Sequence, residues 1–445
     1  MIKKLGRKIL GPLFSPDSFL HRTYHLSRGI AASTINQFPT RRMIVIGVTG
    51  TNGKTTVSNL IAEVIKGAGH KVGLSTTVNF WVGNKEFVNK TKMTTDSPFV
   101  LNRRLKEMEA AGTEYVILET ASHALSQNRT WGINYDVAVF TNLSWDHLDY
   151  HKSFEDYRDT KVKLFEQTFL SKTKNALPKM AIINLNDENS SHFINAFPGT
   201  KYYFGVEQFD TNTIKESSIT TKIIQMTKTG SKFELQTPSG NATINLPLPG
   251  KFNIENALAA ASTCFALGFT IEQIKTGLES AKRVPGRIEY IDHNQNFDVV
   301  VDYAHNPDGF EKSLSALRHT TKNKLIAVFG AAGDRDKGKR PELGKIASQY
   351  ADIIILTEED PGSEDPQKII EAIKPGLSDK FKDKTNLFEI IDRKQAITKA
   401  IELAKPGDTV VALAMGAQTV MATKTGNIDY NEREFITKLL QSSTK

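Results

Sequence analysis

The stretch Met43-Ile-Val-Ile-Gly-Val-Thr-Gly-Thr-Asn-Gly-Lys-Thr-Thr56 decides how this chain reads. Its apolar opening, Met43 to Ile46, predicts a short buried strand. Gly47, Gly50 and Gly53 then punctuate a turn, and helical spacing of apolar residues runs from about Thr55 to Gly67. Strand, glycine loop and helix in that order make an anion cradle. The loop's N–H groups point inward, and the helix N-terminus adds positive dipole. Lys54 is placed to neutralise phosphate charge, and the Thr55 hydroxyl to ligate magnesium. The stringent form of such a loop has glycine where Val48 stands, so the spacing here is a variant. Gly50, Thr51, Asn52, Gly53, Lys54, Thr55 and Thr56 are the candidate nucleotide contacts.

The same texture recurs outward from this loop. Val116-Ile-Leu118, Val137-Ala-Val-Phe140 and Met180-Ala-Ile-Ile183 are short apolar runs separated by helical stretches. They predict a parallel sheet covered on both faces. Glu119, just past one such strand, stands where a magnesium ligand is expected. From Ile214 to Leu248 the pattern alternates, with turns at Gly230 and Ser239-Gly240, and reads as a small antiparallel meander. Helices resume at Asn253 and Thr270. Val284-Pro285-Gly286 reads as a linker, followed by a second set of strands at Val299–Val301, Leu325–Phe329, Ile353–Leu356 and Val410–Leu413. The expected fold is α/β: a basic lead-in (1–38), a central phosphate-loop ATPase domain with a parallel sheet plus the meander (39–284), and a Rossmann-like α/β C-terminal domain (285–445).

Composition excludes several classes. The 445 residues are 39% hydrophobic and 24% charged, the balance of a globular enzyme rather than a disordered chain. The net charge of +8 comes without a long Lys/Arg block or aromatic-basic stripe, which argues against nucleic acid. Cys264 is the single cysteine, so no intramolecular disulfide can form, and a reducing cytoplasm fits. The longest apolar run, Ala257 to Phe269, is too short for the ~20 residues of a membrane span. Pro12, Pro16 and Asp17 interrupt the N-terminus before a signal sequence can form.

Further motifs follow the loop in order. They are Thr94-Thr95, Glu119-Thr-Ala-Ser122-His123, Thr141-Asn-Leu-Ser-Trp-Asp146-His147-Leu-Asp-Tyr-His151 and Tyr157-Arg-Asp-Thr-Lys161. Beyond them come Gly250-Lys-Phe-Asn253-Ile-Glu-Asn256, Pro285-Gly-Arg287, Val301-Asp302-Tyr-Ala-His305-Asn-Pro and Gly333-Asp-Arg335-Asp-Lys-Gly-Lys-Arg340-Pro341. With Gly-Thr-Asn-Gly-Lys-Thr-Thr, this set resembles the Mur ligases, ATP-dependent amide-forming enzymes of peptidoglycan synthesis. Within them it is most similar to the UDP-N-acetylmuramoyl-tripeptide synthetases, which add the third residue of the stem peptide.

The resemblance implies ATP and magnesium as cofactors, a muramoyl-peptide precursor and an amino acid as substrates, no stable membrane insertion, and a monomer. A carboxylate becomes an acyl phosphate, an amine attacks it, and phosphate leaves. Lys54, Lys161, His147 and Arg287 are the expected catalytic residues. Thr55, Glu119, His147 and Lys161, the last as a carbamate, are the expected metal ligands. Asn256, Arg287, Asp302 and His305 are expected around the nucleotide. Thr94, Thr95, Ser122, Gln127, Arg129, Arg340 and Asp360 are expected to hold substrate.

Three departures stand out. Ala121 replaces the first serine of a Ser-Ser-His motif, removing one substrate hydrogen bond. Only 46 residues precede Gly47, where the family carries a UDP-binding domain. The carrier is then either gripped differently or not UDP-linked, and a basic lead-in would suit an anionic surface. Finally, members that add diaminopimelate carry Asp-Asn-Pro-Arg, whose arginine forks onto the distal carboxylate. Here the segment reads Glu359-Asp360-Pro361-Gly362, and Gln418 stands where an acceptor-binding acid is expected. Lysine or a similar diamino acid is therefore favoured over diaminopimelate. A folylpolyglutamate synthase-like enzyme or a ligase for lipid-linked precursors is the alternative within ligases. A phosphate-loop NTPase switch is the alternative outside them.

Overall fold

The fold is described from a computed structural model covering residues 19–91, 93–147, 149–206, 217–381 and 385–443. The first 18 residues of the basic lead-in, and Ile214 where the meander was expected to begin, lie outside them.

Among the described residues, the first unit is built on β1 (Ile44–Thr49), β2 (Val72–Ser75), β3 (Asn79–Val82), β4 (Lys85–Val88), β5 (Tyr115–Glu119), β6 (Val137–Phe140), β7 (Met180–Asn184), β8 (Thr200–Phe204), β9 (Ser218–Met226), β10 (Ser231–Thr237) and β11 (Gly240–Leu246). They form one sheet in the order β11-β10-β9-β8-β7-β6-β1-β5-β2-β3-β4. The run from β9 to β2 is parallel, and the two outer pairs at each end are antiparallel. The expected antiparallel meander is β9, β10 and β11, and it is joined to the parallel sheet where β9 pairs with β8. The β3–β4 hairpin at the other edge was not anticipated. Its strands are four residues each, and β4 is exposed throughout, so no alternation betrays it.

β1 shows why the sheet lies inside. Ile46 and Val48 belong to the apolar cluster on one face, with Val57, Leu60, Ile61 and Val64 of the helix Lys54–Gly67. Val45 belongs to the cluster on the other face, with Leu101, Leu105 and Met108 of the helix Pro98–Ala110. A strand buried on both faces reads as a continuous apolar run, as here. The helix Lys251–Ala266 packs on the Lys54–Gly67 helix and is buried along most of its length, which explains its run of small residues, Ala257 to Ala261.

The second unit is a sheet of β12 (Glu289–Tyr290), β13 (Asp298–Val301), β14 (Leu325–Phe329), β15 (Ile353–Leu356), β16 (Leu387–Glu389) and β17 (Thr409–Ala412), in the order β12-β13-β17-β14-β15-β16. Only β12 runs antiparallel to its neighbour. A hairpin of β18 (Val420–Thr423) and β19 (Gly426–Asp429) follows. β12, β16 and the hairpin strands are two to four residues long, too short for a periodic signal. Between the units, a Cβ on Gly286 would sit 2.2 Å from the Ala417 nitrogen, so the linker presses against the second unit's own loop.

Candidate functional site

The C-terminal ends of β1, β5 and β6 converge, and the site grows from them. Gly50 and Gly53 both have positive φ, 147° and 80°. A Cβ on Gly50 would lie 2.0 Å from Thr141 Oγ1, and one on Gly53 2.2 Å from Asn256 Oδ1. Neighbours fill the space a side chain would take, so these glycines are required by close approach as well as by backbone angle. The Thr51 nitrogen donates to the Asn142 carbonyl at 2.8 Å, and the Asn52 nitrogen to Asn142 Oδ1 at 2.9 Å. Lys54 Nζ donates to the Thr51 carbonyl at 2.7 Å. Thr55 Oγ1 donates to Glu119 Oε2 at 2.9 Å, which also accepts from the Thr77 nitrogen at 2.8 Å. Thr56 is buried in the helix's first turn and lines a small cavity with Asn59 and Pro285.

Lys161 comes in from the helix Phe154–Leu170 and is 1% exposed. Its Nζ donates to the Gly50 carbonyl at 2.6 Å and lies 4.4 Å from the centre of the Tyr157 ring. Burial drives its amine well below the usual lysine range, and neighbouring Lys54 adds to this against Asp146 and Glu119. Burial likewise lowers Lys54, with Glu119 and Asp146 opposing. His147 sits at a left-handed φ of 57°, its Nε2 3.8 Å from Asp146 Oδ2. Its side chain is still 36% exposed, yet desolvation by the surrounding protein lowers it, helped by Lys161, His305 and Lys54. Burial thus works against the charged forms of Lys161 and His147 alike. For Asp146, burial pushes upward, but His147, His305, Lys339 and the Asn306 amide outweigh it and hold the carboxyl below its usual range.

The second unit reaches the loop directly. Asn52 Nδ2 donates to Asp308 Oδ2 at 2.6 Å, and Asn306 Nδ2 to Asp146 Oδ2 at 2.9 Å. His305 Nε2 lies 4.0 Å from Asp146 Oδ2, and Lys339 Nζ donates to the His305 carbonyl at 2.9 Å. The Arg287 guanidinium stacks 4.6 Å above the Tyr303 ring. Asp302 is turned into its own unit, accepting from the Ile288 and Ala304 nitrogens and from Ser313 Oγ at 2.7, 2.8 and 2.8 Å. The bridging role of Asn306 and Asp308 was missed in the sequence. Asn306 and Pro307 stand inside the Val301–Pro307 motif, which gave them no role of their own; Asn306 also caps its helix, accepting from the Gly309 nitrogen at 2.8 Å.

Thr94, Thr95, Ser122, Gln127 and Arg129 are brought together beside the end of β5. Thr95 Oγ1 donates to the Glu119 carbonyl at 2.8 Å and accepts from the Ala121 nitrogen at 3.0 Å. Thr94 Oγ1 accepts from Thr77 Oγ1 at 3.0 Å. Arg129 donates to the Thr95 carbonyl and to Gln127 Oε1, both at 2.8 Å, and Gln127 Nε2 reaches the Tyr150 hydroxyl at 3.2 Å. Ser122 Oγ pairs with His151 Nε2 at 3.0 Å.

Arg340 and Asp360 lie instead on the second unit. Arg340 is 2% exposed and forks onto Glu364 at 3.0 and 3.1 Å. Asp360 Oδ1 accepts from the Ala422 nitrogen at 2.6 Å. Gly362 has φ +58°, and a Cβ there would meet Asp334 Oδ2 at 2.4 Å. Glu359 is buried, and burial pushes its carboxyl up to about 7 despite Lys339 and Arg393, with Asp360 and Glu432 adding to the rise. Gln418 points its Nε2 at the Tyr303 hydroxyl, 3.5 Å away, while its Oε1 is buried without a hydrogen-bond partner among the described residues. Among the described residues, no group of three or more His, Cys, Asp or Glu forms a metal cage.

Comparison with known proteins matches residues 48–264 to the Mur ligase middle domain and residues 286–416 to the Mur ligase glutamate ligase domain. A UDP-N-acetylmuramoyl-L-alanyl-D-glutamate--2,6-diaminopimelate ligase of Geobacillus kaustophilus (strain HTA426) is 39% identical over 395 residues, covering 89% of this chain and 78% of that protein. The enzyme of the same name from Clostridium botulinum (strain ATCC 19397 / Type A) is 36% identical over 405 residues, covering 91% and 79%. A solved structure of an enzyme of that name superposes with a TM-score of 0.62 at 30% identity, over 95% of this chain and 82% of the other. Mycobacterium tuberculosis folylpolyglutamate synthase complexed with ADP gives a TM-score of 0.69 at 17% identity, over 87% and 91%, a likeness of fold alone.

Proposed function

The chain belongs to the Mur ligases, ATP-dependent enzymes that form a carbon–nitrogen bond, and we propose that it joins a diamino acid to the carboxylate of a muramoyl-dipeptide precursor in the cytoplasm, acting as a monomer. The observation that carries this reading is Glu119. Its carboxylate receives Thr55 of the phosphate loop, and its backbone carbonyl receives Thr95 of the Thr94–Arg129 wall. One strand end thus joins a phosphate cradle to a wall with an arginine and paired hydroxyls. That is the juxtaposition a phosphoryl transfer to a bound carboxylate requires.

In this reading the precursor's carboxylate takes the γ-phosphoryl group of ATP. The acceptor amine then attacks the acyl carbon, and phosphate leaves. Lys54 and Arg287 screen the approach of two anions. Thr55 and Glu119 offer hard oxygen donors 2.9 Å apart, which fit magnesium; neutral His147 and a carbamylated Lys161 complete the set of metal ligands. Magnesium would supply charge neutralisation on the phosphates. Burial works against the ammonium of Lys161, and it is the free amine that takes up CO₂, which supports the carbamate. Asn256 and His305 line the nucleotide side, and units 39–284 and 285–445 close around it. Closure keeps water from the acyl phosphate.

For the acceptor, the reading favours a distal ammonium, as in lysine, although the relatives are named for diaminopimelate. A bidentate arginine pair lost from a largely desolvated carboxylate costs ~2–5 kcal/mol. Gly362 cannot supply that arginine, since its backbone and Asp334 leave no room for a side chain. Arg340 is held by Glu364. The acids Glu358, Glu359 and Asp360 suit a cation. Steady-state kinetics with UDP-muramoyl-dipeptide and each amino acid test this. A kcat/KM for L-lysine above that for meso-diaminopimelate supports the preference, and the reverse order overturns it. Release of phosphate without amide product, whatever the amino acid, would overturn the ligase reading.

A further inference from the structure

The chain's charge is concentrated at one end. Residues 1–42 contain eight Lys and Arg against the single acid Asp17, which is +7 of the chain's total of +8. Lys3, Lys4, Arg7 and Lys8 precede the helix Phe19–Ile35, Arg22 and Arg28 lie on it, and Arg41 and Arg42 follow it. The helix itself has no Asp or Glu.

Its two faces differ. Gly29, Ala32 and Ser33 face the protein: Ser33 Oγ donates to the Trp131 carbonyl at 2.6 Å, and a Cβ on Gly29 would lie 2.7 Å from the Asn128 carbonyl. Along one edge of the outer half, Phe19, Leu26 and Ile30 follow one another at helical spacing and are 80%, 37% and 40% exposed. Leu20, Tyr24 and Ile35 are exposed in a second row along the other edge, with Thr23, Ser27 and Thr34 between the two rows. Arg28 borders this second row, its guanidinium 5.4 Å from the Tyr24 ring and 5.9 Å from that of Phe99, itself exposed. An uncharged outer half edged by two rows of large apolar side chains, on a cationic helix, has the form of an interfacial helix that rests in the plane of a bilayer surface. No helix among the described residues is long and apolar enough to cross a membrane, so the contact would be with the surface.

We propose that the helix Phe19–Ile35 docks on an anionic lipid bilayer, its uncharged outer half between the headgroups and the basic residues that border it against them. Charge complementarity selects this occupant. A second copy of the chain would bring an equal +7 against the same face, whereas anionic lipid attracts each basic residue. Docking would also place the wall holding Gln127 and Arg129 one packing layer from the surface, because the helix's inner face rests on Asn128 and Trp131. This inference stands apart from the acceptor reading.

Cosedimentation of the full chain with vesicles tests it. Phosphatidylcholine vesicles are compared with vesicles of phosphatidylcholine and phosphatidylglycerol. Binding to the anionic vesicles should be at least about tenfold stronger, and it should fall by about tenfold or more on raising salt from about 0.1 M to about 0.5 M. Leu26→Asp/Ile30→Asp should weaken that binding at least about tenfold, with thermal melt and soluble ATP turnover unchanged. Phe19→Ser/Leu20→Ser, at the exposed start of the helix, gives a second variant should the first fail to fold. Equal sedimentation with both vesicle types, or variants that bind like the native chain, would overturn the proposal. So would a concentration-dependent dimer in light scattering that the variants abolish, with no vesicle binding.

Discussion

At Lys161 a lysine is buried in a pocket already holding Lys54, an arrangement that is costly for two ammonium groups and cheap if one of them is neutral. Replacing it by alanine should lower amide formation by about 10²–10³-fold, and short-chain carboxylates should restore part of the loss. Wild-type turnover from Lys161→Ala would refute its role, and a melt of the variant separates activity from folding. Glu359 offers a second test. A carboxyl raised to about 7 by burial holds its proton more tightly folded than unfolded. The linkage therefore runs against the usual direction for acids: stability falls as pH rises from about 4.5 through about 7, by up to about 3 kcal/mol from this group. Glu359→Gln should flatten that part of the pH–stability curve. An unchanged difference in urea midpoint between about pH 5 and about pH 7 would show that Glu359 is not the group responsible.

Among the elements, the loop between β1 and its helix is held from both sides. Thr141 and Asn142 after β6 fix its backbone, and Asn256 of the Lys251–Ala266 helix sits against Gly53. Gly53→Ala adds a Cβ at positive φ against Asn256 Oδ1. It should destabilise the fold by about 1–3 kcal/mol and abolish tight ATP binding. Calorimetric titration with ATP and a denaturant melt check both halves; native affinity in the variant would mean the loop relaxes without cost.

Across the whole molecule, hydrogen bonds join the units at and beside the phosphate loop: Asn52 to Asp308, Asn52 and Asn306 to each other, and Asn306 to Asp146. They favour the closed arrangement even before nucleotide arrives. Asp308→Ala removes one of them and leaves the Asn306 helix cap in place. Losing a hydrogen bond of this kind costs about 0.5–1.5 kcal/mol, so the KM for ATP should rise about two- to tenfold. Small-angle scattering of the nucleotide-free variant should give a larger radius of gyration than the native chain. Identical scattering profiles would show that closure is held elsewhere.

Local pattern alone determined the strand–loop–helix at residues 43 to 67, the parallel strands beside it and the second α/β unit, because buried strands and amphipathic helices write their period into a few consecutive residues. The same local reading named Thr55 and Glu119, which the fold joins by a hydrogen bond, and Lys54, which bonds back to the loop at the Thr51 carbonyl. Short or exposed strands such as β4, β12 and β16 left no such period. Only the tertiary structure decided that β9 would extend the main sheet, that Arg340 would be occupied by Glu364, and that Asp302 would turn inward. The bond between Asn52 and Asp308 spans 256 positions. No residue near either end encodes it: it exists because packing two sheets edge to loop carries one asparagine to one aspartate, and that is settled by the shape of the whole chain.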